Sequence, residues 1–305
     1  MPSRVIVFGY GEPALAALDT FAALSVAPVA VVVPGNRAGA AVDTVSAEAR
    51  RRGYPVLAQP PRKAIAPFLS DVRDLHPDFL FVWSYTMLLP SELTSLAARS
   101  AINLHGAKLP QYRGGHALNW TLINGERETA ATLHVIDAGV DTGAVFAERR
   151  VPIEGDDDIT SVHRKVIVAG AALLREWWPR IERGDAVAMP QDESQARHYR
   201  MRTADDGRVD WTQSSEQVRN LVRALTAPWP GAFADVSGTR VVFRRVTPVL
   251  TGHGVRPGTV VNGDDGSLAI ATATGAVRID AAEINGVAAS RVDLHAAGLR
   301  EGAQL

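Results

Sequence analysis

Short apolar runs alternate with helical patterns through the first hundred residues, and only a few folds are compatible with this alternation. Residues 4–8 (RVIVF), 28–33 (PVAVVV) and 78–83 (DFLFVW) are rich in β-branched or aromatic residues. Almost uniformly apolar runs of this length are typical of strands that are buried on both sides. A helical pattern separates each run from the next, so we predict an α/β fold with a mostly parallel sheet and helices on both faces.

The pattern changes after residue 130, which indicates a second domain. Two longer alternating strands, TLHVID and AVFAERRVPI, precede a long helix that begins near Thr160. Residues 185–204 are polar and irregular, as expected of a linker. Beyond them, short strands are separated by Gly and Asp at roughly 8–12 residue spacing, which is typical of a small barrel. We therefore predict one domain over residues 1–190 and a β-barrel-like C-terminal domain over residues 205–305.

Composition and charge exclude several classes of protein. The 305 residues include 32 basic and 33 acidic side chains, so no overall field attracts nucleic acid or an anionic membrane. Without cysteine the chain can have no disulfide framework, thiolate metal site or cysteine nucleophile. No apolar run approaches the ~18 residues of a membrane span. The start MPSRVIVFGYGEP lacks the apolar region of a signal peptide, so we expect a cytoplasmic protein.

A glycine-rich turn follows the first predicted strand. Gly9, Gly11 and Ala14 form a G-x-G-x-x-A pattern ahead of a helix, where a dinucleotide-binding fold holds a pyrophosphate. The second strand ends without the acidic residue that binds the ribose, whereas Arg37 could face a 2′-phosphate. An NADP-binding reductase or regulatory module is therefore one hypothesis for this chain.

The densest group of polar residues lies between residues 101 and 143. Asn103 and His105 are two positions apart at the end of a predicted strand, so their side chains share a face. Ligands of open α/β sheets bind at the carboxyl ends of strands. An amide beside an imidazole can polarise a carbonyl and transfer a proton, and Asp141 of the following GVDTG turn would orient the imidazole.

Two further histidines lie in the same stretch. His116 follows two glycines in a loop and is a candidate substrate contact, whereas His134 lies within a strand and is predicted to be structural. Nothing indicates metal or serine-hydrolase chemistry, because the chain has neither an H-E-x-x-H pattern nor a G-x-S-x-G elbow. These residues therefore favour a reaction in which a side-chain amide polarises a carbonyl and a histidine transfers a proton.

Ordered motifs over nearly the whole chain resemble one enzyme family. NLHGAKLPQYRGG and the downstream GVDTG look like the signature of formyltransferases that use 10-formyltetrahydrofolate, and LNWTLINGERETAATLH, RTADDGRVDW and VRALTAPWPGAF fit the same family in order. The chain is most similar to sugar N-formyltransferases, in particular the domain that formylates UDP-4-amino-4-deoxy-L-arabinose, and more distantly to methionyl-tRNA formyltransferase. The resemblance implies a Rossmann-like first domain and a C-terminal barrel of oligonucleotide-binding-fold type.

The resemblance also implies the site residues. The family's catalytic Asn, His and Asp fall on Asn103, His105 and Asp141, with 10-formyltetrahydrofolate as the co-substrate and no metal. The first domain would hold this folate and not NAD, which accounts for the missing ribose-binding acid. The residues expected to bind the folate are Met87, Leu88, Ile136, Asp137 and Val140. The residues expected to bind the acceptor amine are Tyr85, Arg113, Gly115, His116 and Asn119.

Charge predicts the kind of amine acceptor. A tRNA acceptor requires basic residues that neutralise phosphates, whereas residues 205–305 carry ten basic and eleven acidic residues. We therefore expect a small acceptor, by analogy a nucleotide-linked amino sugar, with tRNA as the alternative; the chain is also compatible with a homodimer. Two segments depart from the family pattern, Ala107-Lys108 and Gly115-His116, and they would reshape the folate entrance or the acceptor pocket.

Overall fold

The strands and helices follow the predicted alternation in the computed structural model, which describes residues 3–251, 254–263 and 266–305. Up to the long helix the order is β1 (Val5–Gly9), α1 (Gly11–Ala23), β2 (Ala30–Pro34), α2 (Ala40–Arg51), β3 (Val56–Gln59), α3 (Ile65–Asp74), β4 (Phe79–Trp83), α4 (Ser91–Thr94), β5 (Ser100–His105), β6 (Arg113–Gly114), α5 (Ala117–Ile123), β7 (Glu128–Val135), β8 (Val145–Pro152) and α6 (Ile159–Arg183). The later elements are β9 (His198–Tyr199), α7 (Ser215–Arg223), β10 (Ala232–Val236), β11 (Thr239–Val249), β12 (Val260–Asn262), β13 (Leu268–Thr272), β14 (Gly275–Ile284), β15 (Val287–Ala288) and α8 (Arg291–Ala296).

Seven strands form the first sheet, in the order β3-β2-β1-β4-β5-β7-β8. The strands from β3 to β5 run parallel, whereas β7 and β8 are added in antiparallel orientation. Strands β1, β2 and β4 are buried along their whole length, as their uniformly apolar sequences require. The chain order reverses between β1 and β4, and in folds of this type ligands bind beside such a reversal, at the carboxyl ends of the strands.

Helix α6 packs closely on the first sheet because a glycine removes one side chain from its surface. A Cβ on Gly170 would lie 2.6 Å from Cζ2 of Trp83 and 2.9 Å from Cδ2 of Leu104. On the same helix, the ring of Trp178 meets Phe21 edge to face at a centroid distance of 4.8 Å. The Gly170 contact lies against the carboxyl ends of β4 and β5, where the candidate site lies, and the Trp178 contact joins α6 to α1.

A second, separate sheet is antiparallel. Its strands lie in the order β10-β11-β14-β13-β12, and β15 pairs with β14. Helix α7 begins with a capping box between Ser214 and Gln217, and Val218 and Val222 on its apolar side join the core that includes Phe243. The predicted fold class is thus confirmed: a Rossmann-like, mostly parallel α/β sheet and a small C-terminal β domain.

Contacts within the chain define two compact units, and each unit collects three segments. The chain passes between the units five times. In the described residues, no helix has the length and hydropathy needed to cross a membrane. The predicted domain limits at residues 190 and 205 stay a prediction. The first unit contains the chain up to Gly114, Glu128–Pro152 and His163–Tyr199, and the second contains Gly115–Arg127, Ile153–Val162 and Arg200–Leu305.

Candidate active site

Strand β5 carries two polar side chains at its carboxyl end. Asn103 lies opposite His134 in the pairing of β5 with β7, and His105 is the last residue of β5. The Nε2 of His105 lies 2.8 Å from the carbonyl oxygen of Tyr112, so this nitrogen carries a proton and donates it. The Nδ1 of His105 lies 3.6 Å from Oδ2 of Asp141, which is longer than a hydrogen bond. The imidazole is therefore anchored at Nε2 and faces a carboxylate with Nδ1.

Asp141 is held in a fixed orientation beside β5. Its Oδ2 accepts a hydrogen bond of 2.8 Å from the backbone N–H of Gly114, and its Oδ1 lies 3.4 Å from Nδ2 of Asn103. Burial alone would raise the pKa of this carboxyl, but the His105 imidazole and the Gly114 hydrogen bond outweigh burial and hold the pKa below its usual range. Asp141 is therefore ionised at neutral pH.

His134 completes the cluster from the neighbouring strand. Only 2 % of its side chain is exposed, its Nδ1 donates to the carbonyl oxygen of Val135 at 2.8 Å, and its Nε2 accepts from Nδ2 of Asn103 at 3.1 Å. Burial lowers the pKa of His134 to about 4, although the charge of Asp141 acts in the opposite direction. His134 is therefore neutral at pH 7. Its unprotonated Nε2 accepts from the Asn103 amide and so orients this amide with Nδ2 towards His134 and Asp141.

The loop that carries Asp141 is locked from within. Oδ1 of Asp137 accepts hydrogen bonds from the N–H of Gly139 at 3.1 Å and from the hydroxyl of Thr142 at 2.5 Å. A Cβ on Gly143 would collide with the carbonyl oxygen of Val135, so only glycine fits at that position. The GVDTG sequence therefore serves the geometry of the loop as well as supplying the carboxylate.

The residues expected to bind folate lie on two loops of the first unit. Met87 is half-buried, whereas Leu88 (76 % exposed) and Val140 (46 % exposed) present apolar side chains to solvent. Ile136 packs against the apolar core beneath β1 and β4, and Asp137 is engaged within its own loop. Exposed apolar side chains on two loops suit the face of a flat ring. Their assignment to folate stays a prediction.

Two of the expected acceptor contacts lie in the first unit. The ring of Tyr85 meets Phe8 edge to face at 5.6 Å, and its buried hydroxyl has no hydrogen-bond partner in the described part of the chain. Burial also raises the pKa of the Tyr85 phenol. Arg113 is fully buried, and both edges of its guanidinium are occupied by Gln191 and Glu193.

The other three expected acceptor contacts lie in the second unit, which Gly115 begins. The Nδ1 of His116 accepts a hydrogen bond of 3.0 Å from the backbone N–H of Arg202. Asn119 is buried, and its amide donates to the carbonyl oxygen of Ala224 at 2.8 Å. These bonds order the loop and helix α5 inside the second unit, and a role in acceptor binding stays a prediction.

Sequence reasoning missed the segment after α6, and it predicted a structural His134 without indicating its contact with Asn103. Residues 185–204 have the composition of a linker, but β9 pairs in parallel with β6, and Gln191 and Glu193 bind the guanidinium of Arg113. Polar side chains predict a solvated segment when no partner is visible, and here their partners lie about eighty residues earlier in the chain. No signal in the sequence itself indicates these pairings.

The glycine turn after β1 serves packing. A Cβ on Gly9 would lie 2.8 Å from both the Cβ of Ala14 and the carbonyl oxygen of Trp83, so the glycine lets helix α1 approach the sheet. The guanidinium of Arg37 lies over the ring of Tyr10, 5.1 Å from its centroid. Neither contact favours an NADP site. In the described ranges no three His, Asp or Glu side chains are grouped so that they could hold a metal ion.

Two family models match most of the chain. Residues 3–176 match the family described as formyl transferase, and residues 202–299 match the formyl transferase C-terminal domain.

Three solved structures share the fold over most of the chain. HypX from Aquifex aeolicus in complex with tetrahydrofolic acid is 21 % identical (TM-score 0.63), with 98 % of this chain and 47 % of HypX aligned, so the chain spans about half the length of HypX. WlaRD, a sugar 3N-formyl transferase solved with dTDP and 5-N-formyl-THF, is 14 % identical (TM-score 0.70; 93 % and 98 % aligned). The N-formyltransferase from Helicobacter canadensis, in complex with folinic acid and dTDP-3-aminofucose, is 17 % identical (TM-score 0.69; 91 % and 98 % aligned).

Proposed function

The chain belongs to the formyltransferase family, and from this premise we propose that it transfers a formyl group from 10-formyltetrahydrofolate to the primary amine of a nucleotide-linked amino sugar. The observation that carries the proposal is the grouping of Asn103, His105 and Asp141 at the end of β5. The similar fold of two enzymes solved with folate compounds and dTDP or a dTDP-amino sugar supports the choice of both substrates.

Two N–H groups are available to stabilise the charge that develops on the formyl oxygen. As the amine attacks, a C–N bond forms and the carbonyl oxygen becomes an oxyanion; the bond from that carbon to N10 of the folate then breaks. Nδ2 of Asn103 gives one hydrogen to His134, and its second hydrogen makes a long contact of 3.4 Å with Asp141 Oδ1, which the formyl oxygen would replace. A protonated Nδ1 of His105 supplies the other donor, since 3.6 Å leaves it without a hydrogen bond to Asp141.

Asp141 is the base of the proposed reaction. Its carboxylate is ionised, lies beside His105 Nδ1 and takes the proton that the amine loses when it attacks. His105 then gives a proton to N10 as tetrahydrofolate leaves, and the Asp141 carboxyl restores it. The proton lost by the amine therefore ends on the leaving folate, and the enzyme returns to its starting state.

The charge distribution supports a small acceptor. Residues 205–305 carry ten basic and eleven acidic residues, so the C-terminal part of the chain supplies no excess of cations for a tRNA backbone. A sugar nucleotide carries only the charge of its diphosphate, and one or two cations suffice for that group. The amino-sugar nucleotide is therefore the acceptor class that this chain fits better than tRNA.

The direct test is product analysis with a panel of amines. The protein is incubated with 10-formyltetrahydrofolate and UDP- or dTDP-linked 3-amino and 4-amino sugars, hydroxyornithine or methionyl-tRNA, and mass spectrometry records any gain of a formyl group. We expect a formylated sugar nucleotide with wild-type protein and none with His105→Ala, while His295→Ala in helix α8 serves as the control. A formylated tRNA would overturn the acceptor assignment, and the absence of any formylated amine would overturn the activity.

A further inference from the structure

Gln191 uses every hydrogen-bonding position of its side-chain amide. Its Oε1 accepts from Nε of Arg113 at 3.0 Å and from Nη2 of the same guanidinium at 2.8 Å. Its Nε2 donates to the carbonyl oxygen of Asp141 at 2.9 Å and to that of Gly143 at 2.7 Å. One amide therefore joins a buried cation to the backbone of the loop that carries the proposed base.

The guanidinium of Arg113 gives this amide a rigid support. Its second edge binds Glu193, with Nη2 to Oε1 at 2.6 Å and Nη1 to Oε2 at 2.9 Å, and the arginine side chain is 1 % exposed. A bidentate pair of this kind fixes the plane of the guanidinium as well as its position. The residue that follows, Gly114, donates its N–H to Oδ2 of Asp141 at 2.8 Å. Asp141 is thus held at its carboxylate by Gly114 and at its carbonyl by Gln191.

The backbone of Asp141 needs such support. Its φ of 56° lies in the left-handed region, which costs a residue other than glycine on the order of 1–2 kcal/mol. Such conformations persist where the surroundings over-determine them. The amide of Gln191 meets the two carbonyls on either side of Thr142, so the loop cannot relax at Asp141 without breaking at least one of these bonds.

We propose that Gln191 is a positioning residue for formyl transfer, which acts through the backbone of Asp141 and keeps the Asp141 carboxylate beside His105. The inference rests on the proposed function, because it assigns Gln191 to the same site. Gln191 itself touches no reacting atom in this assignment. Its effect should therefore fall on the rate of the chemical step and leave the affinity for both substrates nearly unchanged.

Two variants of Gln191 separate this role from a general contribution to stability. Gln191→Glu is nearly isosteric and keeps an acceptor for Arg113, but it loses both N–H donors and places a carboxylate against the carbonyls of Asp141 and Gly143. Gln191→Met keeps the length and removes all four bonds. The matched control is Gln195→Ala: Gln195 lies in the same segment, but its amide accepts from Gln111 and donates to Asp192, both outside the Asp141 loop.

We expect kcat of Gln191→Glu to fall about 10–100-fold, because a displacement of about 1 Å at a reacting group can cost up to 10²-fold. KM for 10-formyltetrahydrofolate and for the amine should stay within about twofold. The acid limb of the kcat profile should move to higher pH, since a displaced Asp141 loses part of the stabilisation that lowers the pKa of its carboxyl. A wild-type kcat, or a loss confined to KM with an unchanged pH profile, would overturn the inference.

A measurement on the free protein, which needs no catalytic turnover, tests this inference separately from the proposed function. Nitrogen-15 NMR of the free protein reports the tautomer and hydrogen bonding of the His105 imidazole. The inference predicts changed His105 resonances in both Gln191 variants and unchanged ones in Gln195→Ala. If wild-type protein formylates no amine, the proposed function fails, and the NMR comparison still decides the positioning: unchanged His105 resonances in a folded Gln191→Met protein would overturn it.

Discussion

Two neighbouring strands present histidines to the same carboxylate, and the two side chains are in opposite situations. Nδ1 of His105, at the end of β5, lies 3.6 Å from Asp141, and Nε2 of His134, inside β7, lies 3.7 Å from it. His134 is almost fully buried and gives its single proton to the carbonyl of Val135. His105 is 10 % exposed and donates from Nε2 while Nδ1 faces the carboxylate.

The difference shows that distance to a carboxylate does not by itself decide what a histidine does. Burial lowers the pKa of His134 to about 4 in spite of Asp141, so the strand interior makes this residue a hydrogen-bond acceptor for Asn103. His105 lies instead at the end of its strand, the position at which ligands bind in open α/β sheets. Three predictions test this contrast.

Removal of the strand-end histidine should have the largest effect. His105→Ala takes away one donor for the developing oxyanion and should lower kcat by about 10²–10³-fold. Folate binding should change little, whereas the unfolding midpoint should fall, because the side chain is only 10 % exposed and loses its hydrogen bond to the carbonyl oxygen of Tyr112. Single-turnover kinetics and equilibrium folate binding measure the two effects. Turnover near the wild-type value would show that the contrast between the two histidines is false.

The next effect in order of size should be that of low pH, which acts through the buried His134 on the free energy of unfolding. The unfolded chain binds a proton at His134 near the ordinary pKa of 6.5, whereas the folded protein resists it down to about pH 4. Between these values the unfolded state binds more protons, so the free energy of unfolding should decrease as the pH falls from 6.5 to 4, by about 3 kcal/mol in all from this residue.

Denaturant titrations at several pH values measure this decrease, and NMR titration of the imidazole locates the pKa. The depressed pKa of Asp141 acts in the same direction, but its window lies below the ordinary value of 3.8. A His134 that titrates near pH 6.5 would contradict the neutral assignment.

Deletion of the buried side chain should have the smallest effect on turnover. His134→Ala removes the hydrogen bonds of this side chain to Nδ2 of Asn103 and to the carbonyl oxygen of Val135, so we expect the free energy of unfolding to decrease by about 1–3 kcal/mol. The rate should fall about tenfold, because the Asn103 amide loses its orientation while both proposed donors remain. Chemical denaturation and steady-state kinetics on one preparation give both numbers. A loss of rate equal to that of His105→Ala, at unchanged stability, would reverse the two roles.

The fold followed from the sequence because its central strands are unambiguous. The apolar runs that became β1, β2 and β4 are buried along their whole length, and the break in pattern after residue 130 marks the antiparallel strands and the separate β domain. Both signals are local, and local hydrophobic pattern is what a single sequence reports most directly.

The site followed only in part, because its support depends on pairings between distant segments. Spacing alone places Asn103 and His105 on one face, but the register of β5 against β7, which sets Asn103 opposite His134, is not encoded in spacing. Gln191 reaches the Asp141 loop across fifty residues of sequence, from a stretch that has the composition of a linker. Arg113, expected as an acceptor contact, is surrounded by Gln191 and Glu193 for the same reason.

The interleaving of the two units also has a consequence during synthesis. Helix α5 belongs to the second unit, where Asn119 bonds the carbonyl of Ala224, 105 residues later in the chain. At about 5–20 residues per second, a ribosome needs roughly 5–20 s to deliver that partner. During this interval the face of α5 that is buried in the folded protein, with Ala117, Asn119, Thr121 and Leu122, lacks its partners, so nascent chains stalled between the two segments should be preferred clients of chaperones.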